Sequence, residues 1–264
     1  GSAVAVVRDE LHGQSVWLLD LRTQTWTRTP DGRGRSPIWS PDGTRFVYYT
    51  PDGMRVVRRD GLGGGERLVG PLDRFFSLPS SWSPDGRFLA FTYETTTTGF
   101  DIWILPLGGD RRPRPYVATS SSEGSAVFSP DGRWIVYESS ESGRGEVYVR
   151  PFPGPEPKRQ VSFGGGTRPK WTRGGREIVY RAPGPPPAMM AVPVELGADF
   201  RAGTPRRLFD DTYRRILEAG FDVSPDGNRF LMVEEPPSVA PPTQIVVIPS
   251  VLDLIRSKPR GARR

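Results

Sequence analysis

Ser40-Pro41-Asp42-Gly43, Ser83-Pro84-Asp85-Gly86, Ser129-Pro130-Asp131-Gly132 and Ser224-Pro225-Asp226-Gly227 are four copies of one tetrapeptide. Thr172-Arg173-Gly174-Gly175 stands where a fifth copy is due, in degenerate form. Successive first positions are 43, 46, 43 and 52 residues apart, and the longest interval holds the insert Pro183-Gly184-Pro185-Pro186-Pro187. Self-similarity at such a period marks a repeat architecture. Within the motif, Pro presets the first turn position, Asp can bond nearby backbone, and Gly supplies a left-handed residue, which together make a tight hairpin.

The flanks of each copy share one grammar. Trp39, Trp82, Phe128, Trp171 or Val223 precedes the turn, and a dense apolar run such as Phe46-Val47-Tyr48-Tyr49 or Trp134-Ile135-Val136-Tyr137 follows it. A second run comes next, as in Ile102-Trp103-Ile104-Leu105 or Val147-Tyr148-Val149, and a short fourth segment such as Arg207-Leu208-Phe209 closes the unit. Four short β-prone runs between turns are the sequence of one propeller blade. Runs apolar at every position are expected of strands buried on both faces.

The expected fold is therefore all-β: a six-bladed β-propeller of four-stranded antiparallel blades. Blades are expected near 3–29, 37–70, 80–119, 125–163, 167–210 and 219–249, in a single domain over 3–250, followed by a short helix and basic tail at 251–264. The first unit lacks an innermost strand and the last an outermost one, so ring closure is expected to be shared by the two termini. A larger propeller truncated upstream is the rival reading, because incomplete terminal blades leave open edges.

Composition narrows the chemistry. Hydrophobic residues make up 36% of the 264, and Gly 31 with Pro 29 would suit disorder, but Trp 7, Tyr 8 and Phe 13 are too many aromatics for it. The net charge of +6 comes largely from the last residues, Arg256, Lys258, Arg260, Arg263 and Arg264. The body is near neutral, so no nucleic-acid partner is expected. Cysteine is absent and His12 is the single histidine, which removes thiolate chemistry and the usual zinc clusters and argues against a Ser-His-Asp triad. No metal, cofactor or catalytic residue is expected, and the longest apolar run, from Ile245 to Ile255, is too interrupted to span a membrane. Gly1-Ser2 reads as a cloning remnant and the chain as a fragment of something longer.

The W-S-P-D-G turn and the I-W-x-x-x-L-x-G-G strand, matched most fully by Trp82 to Gly86 and Asp101 to Gly109, resemble the TolB-like, WD40-like β-propeller repeat. The stretch from Phe221 to Glu234, with Gln244 to Ile248 after it, resembles the end of bacterial proteins that carry such propellers behind a Ser/Thr kinase or a winged-helix domain. The resemblance implies an extracytoplasmic sensor or protein-interaction module, part of a membrane-anchored signalling protein, whose catalysis lies outside this chain.

Candidate residues follow from the architecture. Asp42, Asp85, Asp131 and Asp226, each paired with Gly43, Gly86, Gly132 or Gly227, are read as structural turn residues and not as a metal set. Trp39, Trp82 and Trp171 are read as packing between blades rather than a stacking belt. Loops feeding the innermost strands converge at the channel mouth. There, Arg35, Arg74, Glu123, Arg168, Arg215 and Glu218 would supply charge, and Phe75, Phe76 and Tyr213 apolar contact. An acidic peptide or other anionic ligand is the hypothesis these arginines suggest; solvated loop charges are the plainer alternative. Three functions are open: a non-catalytic module holding a protein or peptide partner, a substrate-gating propeller of a prolyl-oligopeptidase-like hydrolase, and a lyase with a channel metal. The absence of histidine ligands weighs against the third.

Overall fold

The computed structural model describes residues 3–11, 13–31, 33–60, 65–69, 77–154, 157–197, 199–213, 220–224 and 226–234, and the backbone of 245–248. Each apolar run becomes a strand, and the strands form six successive antiparallel sheets. Sheet one holds β1 (Ala3–Glu10), β2 (Gly13–Asp20) and β3 (Trp26–Arg28). Sheet two is β4 (Arg35–Trp39), β5 (Arg45–Thr50), β6 (Gly53–Arg58) and β7 (Glu66–Val69). Sheet three is β8 (Ser77–Trp82), β9 (Phe88–Thr95), β10 (Gly99–Pro106) and β11 (Arg114–Val117). Sheet four is β12 (Glu123–Phe128), β13 (Trp134–Ser139), β14 (Glu146–Pro151) and β15 (Arg159–Gln160).

Sheet five departs from the repeat. It runs β16 (Thr167–Thr172), β17 (Glu177–Ala182) and β18 (Ala188–Leu196), and β18 is long enough to pair with both β19 (Phe200–Ala202) and β20 (Arg206–Asp210). The last sheet is β21 (Phe221–Val223), β22 (Phe230–Val233) and β23 (Ile245–Ile248). The expected closure of the ring is not met among the described residues. β1–β3 and β21–β23 are separate three-stranded sheets with no pairing between them, because each terminus has hairpins of its own and neither lends a strand to the other. His12 and the 251–264 tail lie outside the described residues.

The core is a series of five clusters, each shared by two consecutive sheets. Val16 and Leu18 meet Phe46 and Tyr48. Val47, Met54 and Val56 meet Leu89, Phe91 and Leu105. Ala90, Ile102 and Ile104 meet Ile135, Tyr137 and Tyr148, while Trp134, Val136 and Val149 meet Ile178, Tyr180 and Val192. Val179 and Met189 meet Phe221, Phe230 and Met232. Neighbouring residues of one strand thus serve different clusters: Phe46 faces sheet one and Val47 sheet three. Side chains alternate across a strand, so only an unbroken apolar run can bury both faces.

Candidate functional site

The Ser-Pro-Asp-Gly turns form one end of the molecule. The Ser129 hydroxyl donates to Asp131 Oδ1 at 2.5 Å and accepts the Trp134 amide at 3.0 Å; Asp131 Oδ1 also accepts the Arg133 amide at 3.1 Å. Ser40, Ser83 and Ser224 repeat this with Asp42, Asp85 and Asp226. Gly43, Gly86, Gly132 and Gly227 take φ of 67–73°, the left-handed region a Cβ disfavours. The Ser40 hydroxyl and the Thr44 amide and hydroxyl hold Asp42 down at about 2. Serine hydroxyls likewise lower Asp85 and Asp226, and at Asp131 the hydrogen bonds overcome an upward push from burial. These carboxylates are spent on their own turns. The degenerate Thr172 turn closes through a short 3-10 turn with left-handed Arg173, Gly174 and Gly175, and leaves buried Thr172 Oγ1 without a partner.

Innermost strands begin at the opposite end, and three of them open on the same irregularity. Ser36, Ser125 and Arg168, each three residues before the aromatic that precedes the turn, have φ of 52°, 52° and 55°, and a β-bulge follows in β4, β12 and β16. In β8 the equivalent position is Pro79, whose ring forbids positive φ, and the bulge falls between Pro79 and Ser81. Bulges re-aim the side chains beside them. The sequence signal was a residue of each strand that breaks its apolar alternation, two of them (Ser36, Arg168) directly before proline.

Four of the expected mouth residues fall among the described ones, each with local contacts of its own. Arg35 stacks its guanidinium 5.2 Å from the Tyr49 ring centroid. The Arg168 amide donates to Glu138 Oε2 of the preceding sheet at 2.8 Å, and its side chain is partly exposed. Glu123 lies at this end but is 1% exposed, so it adds no surface charge. Its Oε1 accepts from Thr119 and Ser139, while Oε2 has no partner; burial, followed by a smaller repulsion from Asp101, raises its pKa. Tyr213 packs edge-on against Phe209, 6.5 Å between centroids, as part of the cluster between sheets five and six. Arg74, Phe75, Phe76, Arg215 and Glu218 lie outside the described residues. As for the tryptophans, the Trp171 indole donates to the Val127 carbonyl of the neighbouring sheet at 2.9 Å, and Trp82 is 8% exposed.

Sequence reasoning missed the apolar part of this end. Leu11, Phe100 and Phe163 are 99%, 40% and 75% exposed. Phe100 opens β10 and Phe163 precedes β16, both at the end where inner strands start; Leu11 joins them there because the Gly34 amide donates to Gln14 beside its hairpin. Phe163 is firmly presented. Glu146, at the head of β14, accepts the Gly164 and Gly165 amides at 2.9 and 2.8 Å and the Ser162 hydroxyl at 2.5 Å, which brackets the phenylalanine. Burial alone would raise Glu146; these donors and Arg144 hold it below the usual range. An aromatic directly before Gly164-Gly165-Gly166 was the available signal.

Comparison with known proteins comes from both sequence and structure. A family model described as the TolB beta propeller domain matches residues 34–186. The Tol-Pal system protein TolB of Bordetella pertussis is 33% identical over 115 residues, 43% of this chain and 26% of that protein. Tricorn protease homolog 1 of Streptomyces coelicolor is 33% identical over 98 residues, 36% of this chain and 8% of that protein. The chain thus matches 26% and 8% of the length of these curated relatives. The crystal structure of TolB from Acinetobacter baumannii superposes with a TM-score of 0.67 at 16% identity, covering 88% of this chain and 58% of that one, a likeness of fold.

Proposed function

The chain belongs to the TolB beta propeller family, and from that membership we propose that it is a non-catalytic binding module, which holds a protein partner on the end where its innermost strands begin. The observation that carries the reading is the placement at that end of Leu11 and Phe163, the two most exposed large apolar side chains among the described residues, with Phe100 on sheet three; Leu21 and Trp26, 47% and 41% exposed, lie on sheet one toward the turn end. Single exposed hydrophobes are ordinary, whereas several at one end, one of them bracketed by the buried Glu146, suit a docking surface. Arg35 and Arg168 at the same end favour a partner with acidic groups at its rim, since charge complementarity sets orientation and encounter rate.

In this reading the module is the sensory part of a larger bacterial signalling protein, linked to a Ser/Thr kinase, anchored in the membrane elsewhere in that protein and exposed outside the cytoplasm. The resemblance of its last strands to kinase-linked propellers supports this. Among the described residues no helix is long and apolar enough to cross a membrane. A second reading, a propeller gating a hydrolase, is favoured by the match to a tricorn protease homolog. A kinase or an α/β-hydrolase domain encoded in the same polypeptide separates the two.

A photo-crosslinking amino acid at position 163 or 100, introduced in the host cell, should trap one discrete protein, and the same group at exposed Glu195, at the other end, should not. Equal capture from all three positions, or none from positions 163 and 100, rejects the docking face.

A further inference from the structure

The geometry points to a second binding site, for an acidic peptide segment, at the turn end of the molecule between sheets two and three. A cleft of about 570 Å³ opens there. Its cationic wall is Arg45, Arg87 and Arg111, and its apolar floor includes Val56, Leu68 and Trp82. The Arg45 guanidinium lies 5.8 Å from the Trp82 ring centroid and that of Arg87 5.6 Å from Phe88. Each guanidinium rests over an aromatic ring, which restricts the side chain while its N–H donors remain open to a ligand. That contact lowers part of the ordering cost when a carboxylate binds these exposed arginines.

The lining itself carries three arginines against one carboxylate, Glu66. Arg111 is paired with Glu66 at 2.7 Å, which leaves Arg45 and Arg87 as the excess. Asp42 and Asp85, outside the lining, stay ionised and attract these two arginines through space, but among the described residues neither forms an ion pair with them, so both guanidinium groups keep their donors for a ligand. A ligand matching both features carries two carboxylates flanking an aliphatic side chain, the acids on Arg45 and Arg87 and the aliphatic group against the partly buried Leu68 and Leu107. An acidic peptide of a few residues has this chemistry. A nucleotide fits worse: a base needs an open aromatic face, and Trp82 is 8% exposed with Arg45 over its ring. This site is independent of the docking face proposed above, which lies at the other end of the strands.

Fluorescence anisotropy of a labelled peptide alternating aspartate and leucine, titrated with the whole chain at low salt, tests the site. Saturable binding is expected, weakened by about tenfold or more in the Arg45→Gln, Arg87→Gln double variant, and unchanged in Arg35→Ala, Arg168→Ala. A peptide with asparagine for aspartate should not bind, one with serine for leucine should bind several-fold more weakly, and inorganic phosphate or AMP should not compete. The thermal midpoint of each variant separates loss of binding from loss of fold. Equal affinity of the Arg45/Arg87 variant and the parent overturns the proposal. So do loss of binding in the Arg35/Arg168 variant instead, competition by phosphate, and the absence of saturable binding.

Discussion

The Arg181 guanidinium and the Asp211 carboxylate meet at 3.2 Å with side chains 4% and 0% exposed, which ties β17 to the segment that follows β20. Arg181 also donates to the Gly220 carbonyl at 3.4 Å, directly before β21, and lies 5.2 Å from the Phe221 ring centroid. One buried cation therefore links sheet five to sheet six. Removing either partner strands a charge where water cannot reach it. Asp211→Ala should cost about 3–5 kcal/mol, read by chemical unfolding, and Arg181→Met should cost less than Arg181→Ala because its stem fills the same space. A loss below about 1 kcal/mol for Asp211→Ala would show the pair to be solvated.

The repeated turn and its degenerate copy make opposite predictions. Ser129 is fully buried and its hydroxyl serves both Asp131 and the Trp134 amide. Ser129→Ala leaves that amide unpaired and should cost about 1–3 kcal/mol. Thr172 Oγ1 is buried with no partner, so Thr172→Val should be neutral or stabilising within about 1 kcal/mol. Equal losses for the two variants in urea titrations would deny the hydroxyl its role.

Acid should act through the turns. Asp42 is held near 2 against an ordinary value of 3.8. The folded state therefore binds fewer protons than the unfolded one, and the stability this contributes above pH 3.8 is lost as pH falls toward about 2. Asp42→Asn should flatten that part of a thermal-midpoint against pH curve. An unchanged slope would assign acid unfolding to other groups.

Glu123 has the reverse sign. Burial raises its pKa above the ordinary 4.5, so the unfolded chain releases the proton first and folding is penalised as pH climbs through that window. Glu123→Gln should raise the thermal midpoint at neutral pH, with the difference vanishing below pH 4.5, where both side chains are uncharged. A lower midpoint at pH 7 would mean the carboxylate is better satisfied than its unpartnered Oε2 indicates.

Between sheets three and four, Phe152 sits 5.2 Å from Phe88, 5.9 Å from Tyr116 and 5.0 Å from Phe128, centroid to centroid. Phe152→Ala should cost about 3 kcal/mol, and Phe152→Leu less than half of that, because the leucine refills most of the volume. Similar losses for both would indicate that ring geometry outweighs volume.

The four turn motifs and the runs behind them already prescribed antiparallel hairpins in a repeating order, and the structure has them. Local chemistry sufficed there, because a turn closes on residues within five positions of each other. β19 was not legible: it exists because β18 extends past the repeat's usual length and offers an edge to Phe200–Ala202. Glu123 was read as a mouth charge from its place in a loop-to-strand junction, yet burial depends on Thr119 and Ser139 closing over it. Phe163 was passed over because its exposure is set by the three bonds that Glu146 makes beneath it.

From the chain alone came the β-class, the repeat length, the turn chemistry of Ser, Asp and Gly, and the two-faced burial of each strand, all of which act over a few residues or a fixed alternation. Tertiary structure decided which acids are buried, which aromatics stay in water, where the bulges lift the inner strands, and that among the described residues the first and last sheets do not pair. Those depend on contacts between residues distant in sequence, and no local pattern encodes what a neighbouring sheet will cover.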